Sequence, residues 1–191
     1  GVTNLHLKDA QRGFSFENPD ATLDMRINPE VQGVKGSDLL NVLREDQLRE
    51  LFFFLFDPGA AKWITGRVLH SREAKPIESV GDLLEISRGL RTGKYGINEA
   101  TLPFLAVRIA VNSELANLEE VLPKAFNLLK KGGRLAVISF HSKEDALVKN
   151  FFKEMSGLGA VQITYKPITA DTAEIEENRR ARSAKLRILE K

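Results

Sequence analysis

The sequence contains no cysteine among its 191 residues. This absence excludes disulfides, thiolate zinc sites, iron–sulfur clusters and cysteine nucleophiles, and it fits a reducing, cytoplasmic environment. Apolar runs are short as well, and the most apolar one, Leu51 to Phe56, is about a third of the roughly 18 residues that a membrane helix needs. Gly1 to Lys8 lack the pattern of a signal peptide. We therefore expect a cytoplasmic protein that does not contact membranes.

Several motifs that carry chemistry are also missing. The three histidines, His6, His70 and His141, show no spacing typical of a metal site, so no metal is expected. The sequence has no G-x-S-x-G nucleophile turn, no P-loop and no G-x-G-x-x-G loop. Composition and spacing alone therefore indicate no particular reaction.

The composition is that of a folded domain with a cationic end. Hydrophobic residues make up 42% and charged residues 28%, which predicts one core or a core with a small insertion. The net charge is +2, yet residues 178–191 contain six basic residues and one acidic residue, which amounts to +5. This segment indicates either an anionic partner or a terminal strand whose basic side chains face water.

The first hundred residues predict a loop followed by short helices. Residues 1–36 are rich in turn residues. Leu48, Leu51, Phe52 and Leu55 are spaced for one face of a helix. Ser79 with Asp82 resembles a capping box that begins a later helix. A small helical domain is therefore expected over about 37–100.

The rest of the chain shows the alternation of an α/β domain. A helix is predicted up to Leu122, with a break at Pro123 and a second helix from there to Lys130. Leu135 to Phe140 predicts a strand buried on both faces. Ser142 is the predicted N-cap of the next helix. Residues 161–165 and 184–190 alternate like strands, and the last pair predicts an antiparallel edge.

His141 directly follows the predicted strand 135–140. Ligands of open α/β sheets bind outside the carboxyl ends of the strands, which makes His141 a candidate site residue. The alternative is that His141 only packs or caps near the start of the next helix. The spacing alone leaves both interpretations open.

Five blocks of the sequence carry a family resemblance. They are Gly13-Phe-Ser-Phe16 with Leu23-Asp-Met-Arg26, Ala106-Val-Arg-Ile109 with Val111-Asn-Ser-Glu-Leu115, Gly132-Gly-Arg-Leu135, Ile138-Ser-Phe-His-Ser142 with Glu144-Asp145, and Asn178-Arg-Arg-Ala-Arg-Ser-Ala-Lys-Leu-Arg187. In order and spacing, these blocks resemble the bacterial small-subunit ribosomal RNA cytosine-N4 methyltransferases, the MraW family. The resemblance covers nearly the whole chain.

The resemblance implies an α/β fold of the class I, Rossmann-like methyltransferase type with an all-helical insertion. Residues 1–11 and 106–191 would form the methyltransferase domain, and 12–105 a loop-rich and helical substrate-binding insertion. S-adenosylmethionine would donate a methyl group to the exocyclic amine of a cytidine in small-subunit ribosomal RNA. That base must leave its stack to react, and the RNA backbone favours cationic contacts.

The resemblance also implies site residues. Gly1, Thr3 and His6 would bind the cofactor, while Asn4 and His141 are the candidates for a catalytic role. RNA contacts are expected from the following residues: Arg26, Arg108, Asn112, His141, Ser142, Arg182 and Lys185.

The sequence departs from the family pattern at several positions. The family's early strands, its glycine-rich loop and its acidic cofactor contact have no counterpart in this sequence. His6 stands where the family has glutamine, and Leu102 and Leu105 replace an arginine and a glutamine. Asp57 to Ala61 replaces a Gly-Glu-Glu run. The 191 residues alone are therefore expected to be inactive, and the second hypothesis is a non-catalytic RNA-binding or structural fragment. The resemblance also implies that strand 135–140 lies beside the closing antiparallel strand 184–190 with its other edge open, so the chain is expected to form a homodimer or to aggregate through that edge.

Overall fold

The chain folds as two units, and each has its own hydrophobic core. The computed structural model describes residues 2–9, 11–91 and 98–191, without the side chains of Asn4 and Lys8. The first unit is Gly1–Ser113 and the second is Glu114–Lys191. Helices and a small antiparallel sheet make this a mixed α/β chain, as expected.

The first unit is helical. Its described helices are α1 (Asn4–Lys8), α2 (Gly36–Val42), α3 (Glu45–Phe53), α4 (Pro58–Ala74), α5 (Val80–Ser87) and α6 (Thr101–Val111). The face predicted for α3 is confirmed by the burial of Leu48 and Phe52. The capping box of α5 is confirmed as well, since Ser79 Oγ accepts a hydrogen bond from the Asp82 amide. Asp57 begins α4 by accepting from the amides of Gly59 and Ala60.

The loop between α1 and α2 is ordered because it packs into the core of this unit. Leu23 and Met25 are fully buried there. The Leu23 amide donates to Glu78 O at 2.9 Å, and the Gly36 amide donates to Asp24 O at 2.8 Å. In the described residues before α2, the loop predicted over 1–36 is thus confirmed except for the short α1, and hydrogen bonds at Leu23 and Gly36 anchor it.

Gly13 is required where this loop passes close to itself. Its φ is +71°, and a Cβ there would lie 2.6 Å from Thr22 O. We predict that Gly13→Ala lowers the free energy of unfolding by about 2–4 kcal/mol, because left-handed strain and backbone overlap add. Gly66→Ala is the matched control, since that glycine lies inside α4 with open space around it.

The control variant should raise the free energy of unfolding by about 0.5–1 kcal/mol through helix propensity. Urea unfolding of both variants measures the two effects. Equal effects of Gly13→Ala and Gly66→Ala would contradict the role of Gly13.

The second unit combines three α-helices with four strands in its described residues. They are α7 (Glu114–Leu128), β1 (Arg134–Ser139), α8 (Ser142–Gly157), β2 (Val161–Gln162), β3 (Ile168–Thr169), α9 (Thr172–Glu177), a 3-10 helix (Arg179–Ser183) and β4 (Lys185–Glu190). The predicted break at Pro123 is wrong, because α7 continues through it. Leu122 and Phe126 are buried on either side of Pro123, and this burial offsets the lost backbone hydrogen bond.

Strand β4 is the centre of the sheet. It pairs antiparallel with β1, with Leu135 opposite Leu189 and Val137 opposite Arg187, and β2 and β3 also pair with it. The antiparallel pairing predicted for the last two strands, 161–165 and 184–190, is confirmed by β2 and β4. The pairing of 135–140 with 184–190 that the resemblance implies is confirmed by β1 and β4. The prediction that β1 is buried on both faces is wrong for the described residues, since Ile138 is 58% exposed. Burial alternates because α7 and α8 pack on one face of the sheet.

The free edge of β1 predicts self-association. Among the described strands only β4 pairs with β1, so its other edge presents open N–H and C=O groups beside Ile138 and Phe140. We expect the 191-residue chain to form dimers or larger species at low micromolar concentration. Ile138→Lys should shift it to monomer, because a charged edge residue opposes pairing. Sedimentation of both forms measures this, and a monomeric wild-type chain would contradict the prediction.

Candidate functional site

The segment Leu23-Asp-Met-Arg26 is braced by an ion pair. Arg26 Nε lies 2.6 Å from Asp24 Oδ1, and Arg26 Nη2 lies 2.9 Å from Asp24 Oδ2. Arg26 Nη1 also donates to Gln32 O at 2.7 Å. Burial acts to raise the pKa of Asp24, but the hydrogen bonds and charge of Arg26 outweigh it and hold that pKa below its usual value. The guanidinium of Arg26 is thus engaged within its own loop.

Asn112 fastens the same loop to the end of α6. Its Oδ1 accepts from the Ile27 amide at 2.9 Å and from Gln32 Nε2 at 3.0 Å. Its Nδ2 donates to Met25 O at 2.8 Å and to Arg108 O at 2.9 Å. Met25 has a φ of 61°, a left-handed conformation that a buried side chain rarely adopts. We call Asp24, Arg26, Gln32 and Asn112 the loop clamp.

The structure therefore brings together two residues predicted to contact RNA, Arg26 and Asn112. Asn112 is only 5% exposed, and its side-chain amide is used inside the first unit. These side chains hold residues 24–32 in a fixed conformation. Their contact with RNA stays a prediction.

The N-terminal turn holds the predicted cofactor residues. The Thr3 amide donates to His6 Nδ1 at 3.0 Å, and the two side chains lie 3.2 Å apart at Oγ1 and Nδ1. The His6 ring lies 5.5 Å from the Phe14 ring. Gly1 and the side chain of Asn4 fall outside the described residues. What is described of these residues is a capped turn, and their contact with S-adenosylmethionine stays a prediction.

In the second unit, His141 is the N-cap of α8. Its Nδ1 accepts from the Glu144 amide at 3.3 Å. Glu144 completes a capping box, because its Oε2 accepts hydrogen bonds from the amides of Phe140 at 2.8 Å and His141 at 3.3 Å. The prediction of Ser142 as N-cap is wrong by one residue. His141 is therefore a capping residue at the end of β1, and its role in a site stays a prediction.

A carboxylate with two cationic partners joins α8 to β4. Asp145 Oδ1 lies 2.7 Å from Arg187 Nε, and Asp145 Oδ2 lies 3.2 Å from Lys185 Nζ. Arg187 is 5% exposed. The hydrogen bond from Arg187 is the main reason that the pKa of Asp145 lies below its usual value, and it outweighs burial. Lys185, predicted to contact RNA, is half-buried in this pair.

Three potential metal ligands also meet in this unit. One ligand atom each from Glu114, His141 and Glu144 lies within 4.8 Å of the others. His141 Nδ1 accepts a hydrogen bond, which places the proton of a neutral imidazole on Nε2, 3.5 Å from Glu144 Oε1. This tautomer leaves no lone pair on Nε2 for a cation.

The basic segment before β4 faces solvent. Arg179, Arg180 and Arg182 are exposed, whereas Ala181 between them is buried and anchors the 3-10 helix. Asn178 caps this helix by accepting from the Arg180 amide at 3.2 Å. The three guanidinium groups therefore form a cationic surface on the second unit.

Comparison with known proteins places these features in a family. The model of the MraW methylase family matches residues 1–191. The chain belongs to the MraW methylase family. It is 43% identical over 201 residues to the ribosomal RNA small subunit methyltransferase H of Methylacidiphilum infernorum (isolate V4), covering 98% of this chain and 63% of that protein.

Two further relatives carry the same name. The protein of Coprothermobacter proteolyticus is 42% identical over 193 residues, which cover 100% of this chain and 64% of the relative. The protein of Rickettsia massiliae is 40% identical over 208 residues, which cover 98% of this chain and 66% of the relative. The chain thus spans a little less than two thirds of the length of these curated relatives.

The residues at which this sequence was expected to depart from the family pattern pack in the core or cap a helix. Leu102 is buried in the core of the first unit, and Leu105 packs against that core. Asp57 and Ala61 lie in the first turns of α4, where Asp57 is the N-cap and Ala61 is buried. Leu102, Leu105 and Ala61 therefore serve apolar packing, and Asp57 serves as a helix cap.

Glu144, Asp145 and Arg187 were absent from the predicted site residues. A glutamate three residues after the N-cap is the signal of a capping box, and here the N-cap is His141. Arg187 shares the two-residue period of buried Leu189, which indicates the inner face of β4. The pairing of Asp145 with Arg187 across 42 residues has no local signal.

Proposed function

We propose that the protein transfers a methyl group from S-adenosylmethionine to the exocyclic N4 amine of a cytidine in small-subunit ribosomal RNA. The observation that carries the proposal is the family match over the whole chain, together with relatives named ribosomal RNA small subunit methyltransferase H. Ribosomal RNA is then the partner. A cytoplasmic location follows from that partner, and no described helix is long and apolar enough to cross a membrane.

The proposed reaction demands positioning more than nucleophile activation. The lone pair of a cytosine amine is delocalised into the ring, so the amine must be held in line with the methyl group and its protons must be accepted. When bound, S-adenosylmethionine would supply an electrophilic methyl group, and one proton of the amine would have to be accepted. No described residue is assigned to accept the amine proton.

The contribution proposed for this chain is a set of rigid elements. The loop clamp fixes residues 24–32, and the His141–Glu144 box fixes the turn after β1. Because ligands of α/β sheets lie outside the carboxyl ends of strands, we assign His141 and Ser142 to the edge of the substrate site. Thr3, His6, Gly1 and Asn4 remain proposed contacts around the cofactor, which other residues must complete.

The finer fold assignment is part of the proposal. We propose a Rossmann-like domain formed by 1–11 and 106–191, with 12–105 as a helical insertion. The two structural units divide at Ser113 and Glu114, so all of α6 lies in the first unit. The insertion boundary that we propose therefore lies inside α6, at the start of the Ala106 block.

A transfer assay tests the proposal. A protein of the relatives' full length that contains residues 1–191 is incubated with methyl-labelled S-adenosylmethionine and small ribosomal subunits. We expect label in the small-subunit RNA and none in large-subunit RNA, while the 191-residue chain alone transfers none. Label restricted to large-subunit RNA, or no label with any ribosomal RNA, contradicts the proposed function.

A non-catalytic RNA-binding role is the second candidate, and the exposed basic segment favours it. Arg179, Arg180 and Arg182 are expected to contact phosphates. Replacing all three with alanine should reduce the slope of log affinity against log salt by about 2–3 units, at 0.7–0.9 per lost contact. Binding of the chain to a labelled RNA hairpin between 50 and about 300 mM salt measures the slope. An unchanged slope would assign these arginines a structural role.

A further inference from the structure

The first unit carries a cleft that none of the predicted site residues lines. Its volume is about 400 Å³, and it lies beside the start of α4 and the segment that follows α5. The lining residues are Asp57, Gly59, Ala60, Trp63, Gly89, Leu90 and Arg91. The loop clamp contributes nothing to this cleft.

Trp63 provides an aromatic surface in the cleft. It is the single tryptophan of the sequence, and its side chain remains 39% exposed on α4. Neighbouring apolar positions of α4, such as Ile64 and Val68, are fully buried. A large ring that stays open at a concave surface can still bury area against a ligand.

One cationic side chain contacts this ring, and another lines the same cleft. The Arg67 guanidinium carbon lies 5.6 Å from the Trp63 ring centroid. Arg67 is held there, because its Nη2 donates to Glu85 O at 2.9 Å and its Nε donates to Ile86 O at 3.4 Å. Arg91 is exposed and lines the same cleft. The cleft therefore combines the aromatic face of Trp63 with the guanidinium of Arg91 and the carboxylate of Asp57, while Arg67 contacts the ring without lining the cleft.

A stabilising pair on a helix surface would explain only part of this arrangement. Trp63 and Arg67 are four residues apart on α4, and such pairs stabilise helices. That interpretation leaves the concave shape and the position of Arg91 unexplained. An aromatic face beside cations matches a nucleobase that is joined to a phosphate.

We propose that this cleft binds one nucleotide of single-stranded RNA, with its base stacked on Trp63 and its phosphate at Arg91. The inference rests on the proposed function in that RNA is the substrate. It adds a contact that positions the RNA on the helical unit, separate from the residues assigned to the reaction.

The single tryptophan makes the test direct. The 191-residue chain is titrated with a single-stranded oligoribonucleotide of about ten nucleotides while Trp63 fluorescence is recorded. Base stacking is expected to quench the emission in a saturable way. Inorganic polyphosphate is the control, because it offers phosphates without bases and should leave the emission unchanged.

Variants separate stacking from charge. By anisotropy of labelled RNA, Trp63→Ala should lower the affinity about 5- to 100-fold, and Trp63→Phe should retain most of it. Arg91→Ala should reduce the salt slope by about 0.7 and preserve the quenching at saturation. Phe53→Ala is the matched control, since Phe53 is an exposed aromatic residue outside the cleft. The affinity of this variant for RNA should be unchanged.

Two results would overturn the cleft proposal. One is RNA binding that leaves Trp63 emission unchanged, and the other is equal affinity of Trp63→Ala and wild type in correctly folded protein. Methyl transfer is measured separately on the longer protein. Transfer without quenching overturns the cleft alone, whereas quenching without any transfer supports the cleft and contradicts the proposed function.

Discussion

Replacing Asp145 with asparagine is expected to lower the free energy of unfolding by about 3–5 kcal/mol. The variant keeps the size of the side chain but leaves the buried guanidinium of Arg187 without a counter-ion. Removing one partner of a buried ion pair costs this much because the other charge stays desolvated. Urea unfolding followed by circular dichroism measures the loss.

The control for Asp145→Asn is an exposed ion pair of the same unit. Glu120 and Lys124 form a pair on the surface of α7, with both side chains about two thirds exposed. Glu120→Gln should change the free energy of unfolding by less than about 0.5 kcal/mol. Equal losses for the two variants would show that Arg187 needs no counter-ion.

The contribution of Asp145 to the free energy of unfolding depends on pH. The folded state lowers the pKa of Asp145, so the pair stabilises the fold above the unfolded value of about 3.9. This contribution is lost as the pH falls through the folded pKa. The difference between wild type and Asp145→Asn should therefore be constant from about pH 8 to 5 and shrink below about pH 4.

Asn112→Ala is expected to lower the free energy of unfolding by about 3–4 kcal/mol. The substitution removes four hydrogen bonds and leaves the Met25 carbonyl and the Ile27 amide without their partner. Each unpaired buried group costs about 1–3 kcal/mol. The left-handed Met25 also loses a contact that holds its conformation.

Hydrogen exchange at Ile27 distinguishes this clamp from general destabilisation. In Asn112→Ala, the Ile27 amide should exchange far faster, while core amides of α4 change only with global stability. Asn127→Ala is the control, since Asn127 is an exposed residue of α7 and its removal should cost less than about 0.5 kcal/mol. Retained protection at Ile27 would show that the loop holds its shape without Asn112.

Local patterns predicted those parts of the fold that local forces determine. The buried face of α3 follows from side-chain period, and the start of α5 follows from the Ser79–Asp82 box. Strand β1 was predicted from its apolar run, whereas β2 and β4 were predicted from alternation, and the antiparallel pairing of β2 with β4 was confirmed. These elements are predicted from residues that are close together in the sequence.

The remaining features depend on contacts that are distant in sequence. Pro123 stays inside α7 because tertiary burial of Leu122 and Phe126 outweighs its local effect. Asn112 reaches Ile27 across 85 residues, so its role as a clamp was not visible from spacing. The N-cap of α8 was misplaced because histidine is not among the common capping residues.

The measurement that tests the central claim most directly is the identity of the methylated nucleoside. Small-subunit RNA treated with the longer protein and S-adenosylmethionine is digested to nucleosides, and the products are separated and fragmented by mass spectrometry. The account predicts a single new product, a cytidine with the added methyl group on its N4 amine. A methyl group found only on a ring carbon, on a ribose oxygen or on another base would contradict it.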